Sequence, residues 1–80
     1  MKIFVKVFAS LRKKYPNVTD LNPLEMEIDK GSTLAQLIAR LNFSQEEVKI
    51  ILVNGLRASV DDIINEEGSI ISLFPAVGGG

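Results

Sequence analysis

The sequence contains no cysteine, no histidine and no tryptophan, and a single tyrosine. Without cysteine there are no disulfides and no thiolate nucleophiles or ligands. Without histidine as well, the usual structural zinc sets and imidazole-based triads are excluded. The lack of cysteine fits a reducing compartment. Net charge is almost absent too: nine Lys and Arg stand against ten Asp and Glu, a formal charge of −1. That balance supplies no global field for nucleic acid or an anionic membrane. No apolar run approaches the ~20 residues of a membrane span, and the chain opens on strand-like sequence rather than a signal peptide. These absences predict a cytoplasmic protein with no metal site, no nucleic-acid partner and no membrane partner.

Eighty residues make one domain, and a chain this short buries only roughly 60% of the surface its unfolded form exposes. A hydrophobic content of 46% is enough to build an efficient core. Charge is unevenly distributed, for every charged residue among the first fourteen is basic (Lys2, Lys6, Arg12, Lys13, Lys14). Arg12-Lys13-Lys14 reads first as a solvated turn.

Lys2 to Phe8 alternates, with Ile3, Val5 and Val7 on one face of a strand and Lys2, Phe4, Lys6 and Phe8 on the other. Two phenylalanines among lysines on the nominally wet face stand out. Ala9 to Lys14 has one large apolar residue, Leu11, and suits a helical turn. Tyr15 to Pro23, with Pro16, Asn17, Asp20 and Asn22, is loop chemistry. Leu24 to Ile28 alternates apolar and acidic residues as a half-buried strand, and Asp29-Lys30-Gly31-Ser32 turns the chain.

Thr33 and Gln36 have capping-box spacing ahead of Leu34, Leu37, Ile38 and Leu41, one apolar stripe on a helix that Asn42 ends. Ser44 and Glu47 repeat the spacing over one or two turns. Lys49 to Val53 is a strand whose nearly continuous apolar character predicts burial, and Asn54-Gly55 predicts a tight turn into a short strand at Leu56 to Ala58. Val60, Ile63 and Ile64 anchor a connection. Ser69 to Phe74 is the last strand, with Ile71 and Leu73 on one face and Ile70, Ser72 and Phe74 on the other. One helix packed across one face of a mixed sheet is the economical architecture, of α+β class, and it leaves the other sheet face uncovered.

Beyond that strand the sequence runs Pro75-Ala76-Val77-Gly78-Gly79-Gly80. Pro75 cannot donate to a ladder and releases the chain. Glycines cannot pack, so residues 76–80 are expected to be a flexible tail on a domain of residues 1–75. At ~3.3–3.6 Å per residue, the five residues after Pro75 reach about 17 Å, enough to thread another protein's active site.

The strand–strand–helix–strand–strand order, together with Phe74-Pro75-Ala76-Val77-Gly78-Gly79-Gly80, resembles the small subunit of molybdopterin synthase, in the MoaD–ThiS family of ubiquitin-like sulfur carriers with a β-grasp fold. Val7-Phe8-Ala9-Ser10-Leu11-Arg12, Val53-Asn54-Gly55 and Gly68 also agree with it. Ala76, where the family often has a second proline, Gly78 in place of a small side chain, Ser69 after the turn glycine, and the long Tyr15–Pro23 loop depart from it.

The resemblance implies a mixed sheet of about five strands with one main helix, and a carrier with no active site of its own. It implies that an E1-like adenylyltransferase of the MoeB type uses ATP to adenylate the Gly80 carboxylate, the carrier itself binding no cofactor. A sulfur donor then leaves a thiocarboxylate, which delivers sulfur in a large synthase subunit of the MoaE type. Gly79, Gly78 and Val77 would thread the partner's active site. Phe8, Phe74 and Pro75 would form the partner contact, with Phe4, Ile70 and Ser72 extending it and Arg12 adding an ionic contact.

The same tail also suits a protein modifier joined to lysines through Gly80, a carrier for thiamine or amino-acid synthesis, or a β-grasp interaction module with an idle tail. The adjacent pairs Asp61-Asp62 and Glu66-Glu67 lie in turn-like segments and read as solvated surface.

Overall fold

The alternation at the start of the chain produces strand β1 (Lys2–Val7), with Ile3, Val5 and Val7 buried and Lys2, Phe4 and Lys6 half-buried on the opposite face. The computed structural model describes residues 1–76, so the expected tail residues Val77, Gly78, Gly79 and Gly80 lie outside the described residues. After β1 the chain enters a 3-10 turn (Ala9–Lys13) through Ala9 at φ +52°, and the turn buries only Leu11. The loop that follows contains its own small hairpin, in which Thr19 and Asn22 exchange two backbone hydrogen bonds of 3.1 Å. Strand β2 (Leu24–Glu27) returns antiparallel to β1, with Met26 opposite Ile3 and Leu24 opposite Val5.

Gly31 turns at φ +92° into β3 (Ser32–Thr33), which leads directly into helix α1 (Leu34–Arg40). The capping box is formed: the Gln36 N–H donates to Thr33 Oγ1 at 3.1 Å, and the Thr33 N–H donates to Gln36 Oε1 at 2.8 Å. Leu34, Leu37, Ile38 and Leu41 are all buried, and Asn42 stops the helix in the left-handed region at φ +67°. Ser44 and Glu47 make the same reciprocal pair, at 2.7 and 3.2 Å, yet only turns follow. Phe43 and Val48 are buried on either side, and so short a piece cannot offset the cost of helix nucleation.

Strands β4 (Ile50–Val53) and β5 (Leu56–Ala58) form a hairpin through Asn54 and Gly55, at φ +52° and +85°, the two positive values such a turn needs. The last strands are β6 (Ile63–Ile64) and β7 (Ile70–Phe74). The main sheet has the order β2-β1-β7-β4-β5, with β1 and β7 parallel at its centre and the other neighbours antiparallel. The stripe of α1 meets Ile3, Val5, Val7, Ile51, Ile71 and Leu73 in one buried cluster on a single face of this sheet. The mixed sheet with one helix that the sequence implies is therefore present.

Two details differ from the sequence reading. Ile63 and Ile64 are strand β6, paired with β3 in a separate two-stranded ladder. Two residues per strand are too few to show an alternation. Along β4, where the apolar run predicts burial, only Ile51 is buried. Ile50 and Leu52 are half-buried beside Phe74 and Ser72, on the face that no helix covers.

Candidate functional site

The parallel register of β1 and β7 sets Phe4 opposite Ile70 and Lys6 opposite Ser72 on that uncovered face. One step further, just past Val7 and Leu73, Phe8 comes beside Phe74, and the Phe8 N–H donates to the Leu73 carbonyl at 3.1 Å. The two rings stack with centroids 4.4 Å apart and planes 7° from parallel. Both rings are half-buried, so each covers part of the other while leaving apolar surface exposed. Ile50 and Leu52 widen the apolar strip, a contribution visible only once β4 is in register with β7.

The two lysines of β1 on this face are both in ion pairs. Lys2 meets Glu25 at 3.3 Å and Lys6 meets Asp20 at 2.8 Å. Lys14, though exposed, is engaged within the chain: its ammonium donates to the Asn42 carbonyl and sits 5.0 Å above the Phe43 ring. Arg12 and Lys13, on the turn directly after Phe8, make no ion pair among the described residues. Both side chains are exposed, as are those of Lys14 and of Lys49 beside Phe74.

The exit of the chain is equally defined. The Lys49 N–H donates to the Phe74 carbonyl at 2.9 Å, the last rung between β4 and β7. Pro75 follows with no N–H to offer, so the ladder ends there. Pro75 is half-buried and Ala76 exposed, at one end of a shallow cleft of about 400 Å³ that Lys13, Glu46 and Glu47 also line. The Ser44 backbone N–H holds the Glu47 carboxyl below the usual carboxylate range, helped by the Ser44 hydroxyl and the Lys14 charge. Val77, Gly78, Gly79 and Gly80 continue outside the described residues.

Phe8, Phe74 and Pro75 are thus brought together, and Arg12 follows Phe8 on the adjoining turn. Asp61, Asp62, Glu66 and Glu67 lie elsewhere, in the connections flanking β6. No group of three metal-ligating side chains occurs among the described residues, and no helix there is long and apolar enough to cross a membrane. What this arrangement offers chemically is an apolar contact surface with the end of β7, Phe74-Pro75-Ala76, at its edge.

A five-stranded mixed sheet wrapped on one helix, with parallel central strands and the chain departing beside an apolar outer face, defines a ubiquitin-like β-grasp protein. The chain belongs to the ThiS family, whose profile matches residues 5–80. It is similar in structure to a protein of Pyrococcus furiosus assigned as molybdopterin converting factor subunit 1, with TM-score 0.72 and 27% identity over 96% of this chain and 99% of that one. Small archaeal modifier protein 1 of Haloferax volcanii matches with TM-score 0.73 and 19% identity, over 95% of this chain and 98% of that one. A chain in the complex of subunits 1 and 2 of the molybdopterin-converting factor of Helicobacter pylori matches with TM-score 0.59 and 22% identity over the full length of both. No curated protein matches the sequence.

Proposed function

We propose that this chain is a sulfur carrier of the molybdopterin-synthase small-subunit type. The observation that carries the reading is the exit at Phe74-Pro75. The strand ladder ends on the Lys49–Phe74 hydrogen bond, beside the stacked phenylalanines, and the sequence then runs to Gly78-Gly79-Gly80. A backbone without Cβ atoms passes a narrow channel and leaves the last carboxylate unhindered. The 27% identity to the P. furiosus subunit 1 over nearly the whole of both chains supports the molybdopterin branch.

In this reading the Gly80 carboxylate oxygen attacks the α-phosphorus of ATP in an E1-like partner, forming the acyl-adenylate and releasing pyrophosphate. Hydrosulfide from a sulfur donor adds to the carbonyl and expels AMP, leaving the thiocarboxylate and one proton. The large synthase subunit then takes the sulfur for the dithiolene of a pterin precursor, and Gly80 returns to a carboxylate. The chain contributes no general base and no cofactor. It positions the reacting group, by docking its apolar face and threading Val77, Gly78 and Gly79.

The second reading is a protein modifier, favoured by the fold match to small archaeal modifier protein 1. Both readings share the adenylation step and diverge at the acceptor. Reconstitution separates them. Thiocarboxylated chain mixed with the large subunit and the pterin precursor should yield the dithiolene product, and a chain lacking Gly80 should yield none. Product from the truncated chain overturns the carrier reading. Lysine isopeptides through Gly80 without dithiolene product would put the modifier reading in its place.

A further inference from the structure

A second apolar feature lies at the other end of the sheet, where Leu56 pairs with Val53 and Val53 with Ile71, near the start of β7 rather than its Phe74 end. An open cleft of about 560 Å³ is lined there by Val53, Leu56 and Ile63 together with Arg57, Asp62 and Glu66. Leu56 is 74% exposed and Ile63 59%. One exposed leucine says little, but two large aliphatic side chains on one cleft form a patch. β5 is an edge of the main sheet and β6 belongs to the separate ladder with β3, so no strand joins the two sides. The cleft is also held in shape. Asn54 Oδ1 accepts the Ile70 N–H at 2.9 Å, the Ser59 N–H donates to Asp62 Oδ2 at 2.9 Å, and the Asp62 N–H donates to the Ser59 carbonyl at 3.0 Å. Arg57 and Glu66 are exposed and make no ion pair among the described residues.

The charges select the occupant. An acidic partner drawn to Arg57 meets Asp62 and Glu66 on the same cleft, and a basic partner drawn to those carboxylates meets Arg57. A surface that carries both signs around an apolar centre is complementary to itself, because a two-fold axis sets each residue against its opposite number in both directions. We propose that this cleft docks a second copy of the chain. Leu56 of each copy enters the cleft of the other beside Ile63, and Arg57 of each faces Asp62 and Glu66 of the other. The contact leaves the Phe8–Phe74 pair and both tail exits open, since those lie at the far end of β7. It is independent of the fate of Gly80.

The test is sedimentation equilibrium of the purified full chain at low ionic strength. Two large aliphatic side chains per copy make a small interface, so association should fall between about 20 μM and about 1 mM. Across that range the mass should rise about 1.5-fold above the 8.8 kDa of one chain. Leu56→Ser removes the side chain twice per dimer and should weaken association about a hundredfold. Arg57→Glu and Glu66→Arg each set like charges across the axis, and each alone should stay at 8.8 kDa. An equimolar mixture of those two variants restores both pairings, and its mass should rise as the parent's does. Thermal unfolding of the variants should match the parent, because all three positions are exposed. Phe74→Ala should associate like the parent. A parent chain that stays at 8.8 kDa up to about 1 mM overturns the proposal. So does a parent that associates while the mixture does not, or an association that Phe74→Ala abolishes, which would place the contact on the Phe8–Phe74 face.

Discussion

Phe8 and Phe74, at the ends of two parallel neighbouring strands, stack with ring centroids 4.4 Å apart on the one sheet face that carries no helix. The pair serves stability and recognition at once, and the two roles separate by experiment. Either ring truncated to alanine should cost about 2 kcal/mol in urea unfolding, roughly half the loss at a fully buried phenylalanine. The double-mutant cycle should return a coupling of about 1 kcal/mol, the part owed to ring–ring contact. Additive single losses would show that the stacking itself contributes nothing.

The capping box at the start of α1 is worth testing because the helix is only seven residues long. Thr33→Ala removes the acceptor for the Gln36 N–H, at a cost of about 1 kcal/mol. In a domain of this size that lowers Tm by about 4–8 °C in a thermal melt. Thr33→Ser should retain most of the stability.

Asn54 does two things in the β4–β5 turn. Its backbone adopts φ +52°, and its Oδ1 accepts the Ile70 N–H at 2.9 Å, while its own N–H donates to the Ile70 carbonyl at 2.8 Å. Asn54→Gly keeps the backbone conformation and loses the side-chain bond, for about 1 kcal/mol. Asn54→Ala loses the bond and strains the backbone as well, for about 2 kcal/mol. Equal losses in denaturant unfolding would deny the conformational part.

Glu47 links stability to pH. Its folded pKa lies below the ordinary value of 4.5, chiefly through the Ser44 backbone hydrogen bond. A depressed carboxylate pKa contributes stability that is present above the unfolded value and is lost as pH falls through the folded one. The stability difference between the parent and Glu47→Gln should therefore hold steady from pH 7 down to about 5 and shrink below the ordinary glutamate range. A difference that grows on acidification would reverse the assigned sign.

The elements set by local pattern were legible in the sequence: the alternation of β1 and β7, the α1 stripe with its box, and the Asn54-Gly55 turn. Elements set by distant pairing were not. The β3–β6 ladder joins two dipeptides about thirty residues apart, and neither has a periodicity to read. Ile50 and Leu52 misled in an instructive way, since an apolar run signals burial on both faces unless the second face is itself an apolar surface. At the site, Phe8 and Phe74 were legible as phenylalanines on the wrong face of their strands.

The central claim is that Gly80 is the reacting group, and mass spectrometry of the C-terminal peptide tests it most directly. The chain is incubated with ATP, the adenylating enzyme and a sulfur source, and the C-terminal peptide is fragmented rather than the intact mass read, because in the whole chain oxidation of Met1 or Met26 adds nearly the same nominal mass as an oxygen-to-sulfur exchange. The account predicts the exchange at Gly80, dependent on ATP and absent when Gly80 is removed. An unaltered Gly80 carboxylate, under conditions that convert a known carrier, would contradict it.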